Sequence, residues 1–312
     1  MKVEQRRWLK RLLPVAYLLA FLSGSQPCGA QNKKIALTFD DLPALGPLGF
    51  WRPREISNTI LRTLNEYQIT AAGFVVEEKV DDEPTSYVVF EDWARRGHLL
   101  GNQTYSDVDL NQLSAQDFLE HVADGRKYLR RAARTHSFNY RYFRYPYLHQ
   151  GETRKKKERV AKALYNAGYE IAHVTIKTSD YRFNSVYIEN EQDRQRIAQL
   201  KDIYLEHIAQ ALDYAESKSK TVFQRNISHI LWLHCGVATA LFLEDLIQML
   251  QARGYQFISL QEALSDPAFR VEETYVGPAG LSFIDRVAAH RKIPYDSEQG
   301  QLSSTQIEAR LK

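Results

Sequence analysis

Ionisable side chains of the kinds that enzymes use for acid–base chemistry follow several short apolar runs in this chain. Asp40 and Asp41 follow one run, Arg144 ends another, and Asp180 and His234 come at the ends of two more. Taken singly, each has an ordinary structural explanation, as a turn residue, an ion-pair partner or a buried histidine. Together they predict an acid–base site with room for a metal ion, because parallel strands bring their carboxyl ends to one edge of a sheet.

The elements that would position these side chains alternate between strand-like and helix-like segments. Seven segments have strand chemistry, at 35–39, 70–76, 98–102, 138–145, 169–176, 227–234 and 255–260. Helical periodicity separates them, including one helix predicted over 115–134. This alternation predicts an α/β fold with a parallel sheet of about seven strands, closed or nearly closed into a (β/α) barrel. A doubly wound open sheet is the alternative, although no glycine-rich phosphate loop follows the first strand.

Composition and net charge limit the classes of binding partner that the sequence supports. The chain has 312 residues, of which 44% are hydrophobic and 25% charged, with a net charge of +3. Five of the basic residues lie among the first eleven positions, so the charge gives no case for binding nucleic acid or a membrane surface.

The first thirty residues have the pattern of a secretory signal peptide. A basic start is followed by a short apolar run at 12–22 and by the small residues Gly29 and Ala30. The apolar run is too short to cross a bilayer comfortably, so no stable membrane anchor is expected. We therefore predict export to the periplasm or the extracellular space. The mature chain would keep one thiol, Cys235, which we expect to be a buried structural residue.

Five short motifs resemble those of the NodB-homology polysaccharide deacetylases, carbohydrate esterase family 4, in their order and spacing. They are Thr-Phe-Asp-Asp at 38–41, Gly-His-Leu-Leu-Gly-Asn at 97–102 with the adjoining residues 103–107, Arg-Tyr-Pro-Tyr at 144–147, Asp-Tyr at 180–181 and Leu-Trp-Leu-His at 231–234. The resemblance implies a distorted (β/α) barrel over residues 33–264, with 265–312 as a C-terminal extension whose polar end, 297–312, is expected to be loosely held. It also implies a divalent metal ion and an N-acetylated polysaccharide or oligosaccharide as the substrate.

The same resemblance suggests a role for each matching residue. Asp40 resembles the general base, Arg144 the arginine that orients it, His234 the general acid and Asp180 the carboxylate that holds the imidazole. Groove-wall positions fall on Pro146, Tyr147 and Tyr181, and Asp41 resembles a metal ligand. Amide hydrolysis needs an activated water, an electrophile and a proton for the leaving amine, and these residues with a metal supply all three.

The second motif departs from the family. Both metal-binding histidines of the family are replaced, by Gln103 and Asp107, which with Asp41 would form a set of oxygen ligands. Such a set suits an oxygen-preferring divalent ion, or it leaves the site without metal. His98 lies at an unsuitable offset on its strand and is expected to be structural.

Three hypotheses for function remain. The leading hypothesis is an exported hydrolase that removes acetyl groups from N-acetylated sugars, with Asp40 as base and His234 as acid. The second is a catalytically impaired carbohydrate-binding pseudoenzyme, because both metal histidines are missing. The third is a different C–N hydrolase that acts on a small molecule.

Overall fold

The computed structural model describes residues 33–298 and 300–311. The predicted signal peptide lies outside these residues. Within them, no helix combines the length and the apolar composition that a membrane crossing requires.

A parallel sheet forms the centre of the fold. Its strands are β1 (Lys33–Leu42), β2 (Ala72–Val75), β3 (Leu99–Asn102), β4 (Tyr142–Phe143), β5 (Glu170–Ile171), β6 (His229–His234) and β7 (Tyr255–Phe257). Their order is β5-β4-β3-β2-β1-β6, and β7 pairs with the start of β1. Every pairing between these strands is parallel, and β1, buried along nearly its whole length, contacts three neighbours.

The sheet curls until its two ends meet. Ile176, which follows β5, pairs with Leu231 of β6, and the Trp232 amide donates to the Ile176 carbonyl at 3.1 Å. This closure makes a distorted barrel and confirms the predicted fold class. The open-sheet alternative is wrong.

Helices surround the sheet. They are α1 (Pro53–Glu66), α2 (Glu78–Asp82), α3 (Val88–Arg95), α4 (Ala115–Asp124), α5 (Lys127–His136), α6 (Arg154–Asn166), α7 (Asp180–Asn190), α8 (Arg194–Phe223), α9 (Val237–Ala252), α10 (Leu260–Leu264), α11 (Phe283–His290) and α12 (Ser304–Arg310), with 3₁₀ turns at Pro84–Tyr87, Pro146–Leu148 and Pro267–Arg270. The two longest, α8 and α9, bury one continuous apolar face each against the core.

The single helix predicted at 115–134 is two helices, and the break serves the site. α4 ends at Gly125, whose backbone lies against the loop after β3. A Cβ at Gly125 would lie 2.5 Å from the Thr104 carbonyl carbon, so only glycine allows this approach. The Tyr105 amide also donates to the His121 carbonyl in α4. The helix break therefore fixes the loop that carries Gln103 and Asp107.

The chain after residue 265 packs into the same core. Phe283, Ile284 and Val287 of α11 are buried, as are Ile307 and Leu311. The prediction that the C-terminal end is loosely held is wrong for its described residues, because the few apolar side chains of this polar stretch, Ile307 and Leu311 among them, are buried in the main core. The proposed boundary at residue 264 stays a prediction.

Candidate functional site

A cavity of about 430 Å³ opens at the carboxyl ends of the strands. Six of the predicted site residues line it, namely Asp41, Gln103, Asp107, Tyr147, Tyr181 and His234. The others that line it are Leu45, His149, Lys177, Thr178, Arg182, Trp232, Gly280 and Gln301. The remaining predicted residues, Asp40, Arg144, Pro146 and Asp180, are buried behind this wall.

Asp180 and His234 form a fully paired couple. One Asp180 oxygen accepts from the His234 ring nitrogen Nδ1 at 2.7 Å, and the other accepts from the His234 backbone amide at 2.6 Å. The Thr239 hydroxyl donates to the same carboxylate at 3.0 Å. Because Nδ1 is engaged, Nε2 is the ring atom left for the cavity.

The charge on His234 follows from this pairing. Burial alone lowers the pKa of the imidazole, but the Asp180 carboxylate and the hydrogen bond to it, with smaller contributions from Asp41 and Asp40, raise the pKa to about 9. His234 is therefore protonated at neutral pH, and its Nε2–H can donate into the cavity.

Asp40 and Arg144 make a second buried pair, which is less well satisfied. Arg144 is fully buried and its NH2 group donates to the Thr38 hydroxyl at 2.9 Å. Its Nε lies 3.3 Å from Asp40 Oδ1, but the N–H is not aimed at that oxygen, and both atoms lack a hydrogen-bond partner among the described residues. Burial raises the pKa of Asp40, and Arg144 opposes that rise.

A backbone irregularity separates the roles of the two adjacent aspartates. The register of β1 against β2 shifts between Phe39 and Leu42, and Asp41 has a φ of 68°. Regular alternation would place Asp40 and Asp41 on opposite faces of the strand. The bulge instead turns the Asp41 side chain into the cavity and leaves its amide free of the sheet ladder.

Gln103 accepts a hydrogen bond from this free Asp41 amide. The Asp41 N–H donates to Gln103 Oε1 at 3.1 Å, which fixes the orientation of the carboxamide, since an N–H can only donate. The NH2 group of Gln103 then faces the two acids. It lies 3.3 Å from Asp41 Oδ1 and 3.0 Å from Asp107 Oδ1. One neutral side chain thus bridges both carboxylates.

Lys79 places a positive charge next to this cluster of Asp41, Gln103 and Asp107. Its Nζ lies 3.6 Å from Asp41 Oδ1 and 3.2 Å from the Ala44 carbonyl oxygen. Burial and the charge of Asp41 raise the pKa of Asp107 to about 7, against the opposing effects of Gln103 and Lys79. Asp107 is therefore partly protonated near neutral pH.

The donor set here does not fit the divalent ion that the resemblance implies. A metal ligand must present a lone pair, but Gln103 presents an N–H group to the two carboxylates while its oxygen is held by the Asp41 amide. Across residues 33–298 and 300–311, no group of three or more histidine, cysteine, aspartate or glutamate side chains could hold a metal ion. The predicted ligands Asp41, Gln103 and Asp107 are thus brought together, but as a hydrogen-bonded cluster.

The predicted groove-wall residues differ in position. Tyr147 and Tyr181 line the cavity, and Tyr147 is 52% exposed. Pro146 is buried and does not contribute to the wall, because it starts the 3₁₀ turn that presents Tyr147. Tyr147 and Leu148 both have positive φ, of 56° and 58°, which is costly for side chains of this size. The turn holds one exposed aromatic ring over the cavity.

Part of the wall comes from the C-terminal segment. Gly280 and Gln301 line the cavity, and Lys177 donates to the carbonyl oxygens of Gly280 at 3.0 Å and Ser297 at 3.3 Å. The Ser179 hydroxyl donates to the Gly300 carbonyl at 2.8 Å. The segment after residue 265 therefore belongs to the site.

Two residues considered in the sequence analysis, His98 and Cys235, take no part in the candidate site. The Nδ1 atom of His98 accepts from the Ala71 amide at 3.2 Å, and burial lowers the pKa of this ring to about 4. Cys235 is fully buried, and burial raises the pKa of its thiol to about 12. Both are structural residues, as expected.

Sequence reasoning missed Lys79, Trp232 and the C-terminal wall. Trp232 donates its indole N–H to Asp40 Oδ2 at 2.7 Å, and its ring lies 4.8 Å from the His234 ring between centroids. A signal for it existed, since a residue two positions before His234 shares its strand face. Nothing in the local sequence indicates Lys79.

Known proteins with related sequences are polysaccharide deacetylases. Residues 29–172 match the family model for polysaccharide deacetylase. A peptidoglycan-N-acetylglucosamine deacetylase from Bacillus cereus is 29% identical over 106 residues. That alignment covers 34% of this chain and 34% of the relative, so the chain spans about a third of the length of the curated relative that it matches.

Solved structures with a similar fold include a chitin deacetylase and a pseudoenzyme. The chitin deacetylase of Colletotrichum lindemuthianum has a TM-score of 0.51 at 21% identity, covering 76% of this chain and 89% of that chain. A pseudoenzyme of the CE4 family from Bacillus anthracis has a TM-score of 0.50 at 16% identity, covering 75% and 66%. A mutant of this pseudoenzyme with restored enzymatic activity has a TM-score of 0.50 at 18% identity, covering 75% and 68%. The family match over residues 29–172 confirms the resemblance predicted from the five motifs, and the solved structures show that the chain shares their fold.

Proposed function

We propose that this protein binds N-acetylated glycans in the cavity and does not deacetylate them by metal-assisted hydrolysis. The observation that carries the proposal is the Gln103 carboxamide, which donates to both Asp41 and Asp107 where a metal ion would need lone pairs. The similarity to a peptidoglycan-N-acetylglucosamine deacetylase and to a chitin deacetylase supports the ligand class.

The cavity has groups that suit a neutral acetylated sugar. His234 can donate to an acetyl carbonyl, and the carboxylates of Asp41 and Asp107 can accept from the amide N–H. The rings of Tyr147 and Tyr181 offer flat apolar faces for a sugar ring, with polar ends toward water. Recognition of this kind requires no bond to be broken.

Deacetylation is a second candidate, and one observation favours it. The Asp180 carboxylate accepts three hydrogen bonds and holds a protonated His234 imidazole, which is the arrangement a general acid needs. In that case Asp40 would act as the base and Arg144 would orient it.

Binding and acetate release separate the two candidates. Purified protein is titrated calorimetrically with N-acetylglucosamine oligomers and, as a control, with the matching glucosamine oligomers. Acetate release is followed in the same buffers with EDTA and with each of Zn²⁺, Co²⁺, Mn²⁺ and Ca²⁺. We expect binding of the acetylated oligomers alone and no acetate. Acetate release by the natural protein with any ion would establish the second candidate, and absence of binding would refute the first.

A double variant tests whether the Gln103 carboxamide is what prevents metal binding. Gln103→His with Asp107→His removes the bridging amide and supplies two imidazole ligands beside Asp41, so we expect this variant to bind zinc stoichiometrically. Gln301→His, which also adds a histidine to the cavity wall but away from the carboxylates, is the matched control and should bind none. Equal zinc content in the natural protein would contradict the proposal.

We also propose that the protein works outside the cytoplasm. The proposal rests on the basic, apolar and small-residue pattern of residues 1–30. Fractionation of cells that express the full chain, with mass measurement of the mature N-terminus, tests it. Uncleaved protein in the cytoplasm would refute it.

A further inference from the structure

Trp232 occupies a position that the proposed binding function does not explain. It lies on β6 two residues before His234, so both side chains point to the same face of the sheet. Its indole N–H donates to Asp40 Oδ2 at 2.7 Å, and its ring packs on the His234 ring. Trp232 lines the cavity and Asp40 does not.

Trp232 and Arg144 therefore cover the two oxygens of the Asp40 carboxylate. The residue is 1% exposed, with Trp232 on Oδ2 and Arg144 3.3 Å from Oδ1. A general base must come within about 2.6–3.2 Å of the water whose proton it removes. The indole N–H occupies Oδ2, and Asp40 is too deeply buried for a water molecule in the cavity to contact that oxygen directly.

The indole is also held firmly. Trp232 packs against Leu148 and Val174, its backbone amide donates to Ile176 where the barrel closes, and its carbonyl accepts from the Thr178 hydroxyl at 2.7 Å. A ring fixed by its backbone and by packing is part of the folded site and cannot be displaced by a small ligand without repacking.

We propose that Trp232 shields Asp40 from the cavity, as a second block on hydrolysis that is independent of the missing metal ligands. This inference rests on the proposed function, because it explains why an acid and a base at the family's positions would not act. It implies that restoring the two histidines is not sufficient for catalysis, and that Trp232 must also become smaller.

Chemical labelling tests the shielding without any need for activity. The full chain is treated with a water-soluble carbodiimide and an amine, and modification of each aspartate is measured by mass spectrometry. We expect Asp40 to stay unmodified in the natural protein and to become modified in Trp232→Ala and in the milder Trp232→Leu. Asp41 and Asp107, which already line the cavity, provide internal references.

A matched control separates shielding from general loosening. Tyr181→Ala removes another cavity aromatic that contacts His234, at 5.2 Å between ring centroids, but does not contact Asp40 through a hydrogen bond. We expect it to leave Asp40 unmodified. Modification of Asp40 in the natural protein to the extent of Asp41, or no increase in either Trp232 variant, would overturn the proposal.

Measurement of acetate release is the second test of the shielding. General bases contribute about 10²–10⁴-fold to rates, so Gln103→His/Asp107→His/Trp232→Leu should exceed the histidine double variant by at least about tenfold with zinc. Adding Asp40→Asn should abolish the gain. Equal rates in the double and triple variants would overturn the shielding. If the natural protein itself released acetate, the proposed function would fail, while the labelling result would still decide whether Trp232 covers Asp40.

Discussion

Two polar clusters at the cavity, Asp180 with His234 and Asp41 with Gln103 and Asp107, are satisfied in different ways. In the first, hereafter the acid side, an anion meets a cation and two further donors, and one ring nitrogen stays free for a ligand. In the second, the carboxylate side, the NH2 group of a neutral amide lies between two acids.

The difference shows that two polar clusters at one cavity can leave different numbers of polar atoms available to a ligand. The acid side presents a proton to the cavity, whereas each acid of the carboxylate side already accepts one hydrogen bond from Gln103. Asp40 is enclosed by Trp232 and Arg144. A polar network that is satisfied internally adds rigidity to a site.

The largest effect is expected from removing the anion of the acid side. Asp180→Ala leaves the His234 ring, its backbone amide and the Thr239 hydroxyl without their acceptor in a fully buried place. Breaking such a buried pair costs about 3–5 kcal/mol, so we expect a loss of that size in the free energy of unfolding by denaturant.

An exposed ion pair is the control for that change. Asp213 pairs with Arg253 at the surface and its side chain is 64% exposed. Asp213→Ala should cost less than about 1 kcal/mol, because surface pairs are screened by water. A similar small loss for Asp180→Ala would mean that the acid side is not the rigid half of the site.

The second prediction concerns the pH dependence of the acid side. The pKa of His234 is raised to about 9 in the folded protein, against 6.5 for an ordinary histidine. Its contribution to stability is therefore fully present below about pH 6.5 and is lost as the pH rises through about 9. The difference between natural protein and His234→Gln in unfolding free energy should shrink by about 3 kcal/mol between about pH 6 and pH 10.

His207 gives the opposite sign and serves as the control. Its Nε2 atom accepts from the Ser179 amide, and burial lowers its pKa to about 4. Since the folded state favours neutral His207, its contribution is lost as the pH falls from about 6.5 toward 4. Parallel slopes for His234→Gln and His207→Gln would show that the charge state assigned to His234 is wrong.

The third prediction converts the carboxylate side into a site that needs a cation. Gln103→Glu replaces the bridging NH2 by a third acid facing Asp41 and Asp107, which should lower the free energy of unfolding by about 1–3 kcal/mol in EDTA. Three carboxylates suit hard divalent ions, so millimolar Ca²⁺ or Mn²⁺ should restore the loss. Denaturant unfolding with and without the ions measures both effects.

The natural protein and Gln301→Glu are the controls, and neither should respond to the ions. If the natural protein were stabilised by Ca²⁺ or Mn²⁺ as strongly as the variant, its own cluster would bind metal. The distinction between the two sides of the cavity would then fail.

The acid side could be predicted from the sequence because each of its members stands alone at a strand end. His234 closes β6 and Asp180 opens α7, so finding them near each other required only the barrel. The barrel itself followed from seven apolar runs that alternate with helical periodicity.

The position of the carboxylate side could be predicted from the sequence in the same way, but the orientation of its side chains could not. The orientation of Gln103 depends on the Asp41 amide, which is free only because β1 bulges there with a φ of 68°. No residue type in Thr-Phe-Asp-Asp indicates that bulge. The position of Lys79 and the return of the chain at Gly280 depend likewise on tertiary packing rather than on local pattern.

The smallest predicted effect concerns the turn that presents Tyr147 to the cavity. With φ 56° and ψ 8°, this residue adopts a left-handed conformation that costs non-glycine residues about 1–2 kcal/mol. We therefore expect Tyr147→Gly to be more stable than Tyr147→Ala by about 1 kcal/mol in denaturant unfolding, because only the backbone preference differs between them. Both variants should lose affinity for N-acetylglucosamine oligomers equally.

Tyr165 is the matched exposed tyrosine, in the helix α6, where the preference reverses. There the glycine variant should be the less stable by about 0.5–1 kcal/mol. If Tyr147→Ala proves as stable as Tyr147→Gly, the turn carries no strain. Strain that persists at an exposed ring over the cavity argues that the ring is kept for a ligand, since stability alone favours glycine at that position. The carboxylate side would then be closed to catalysis in a cavity still shaped for binding.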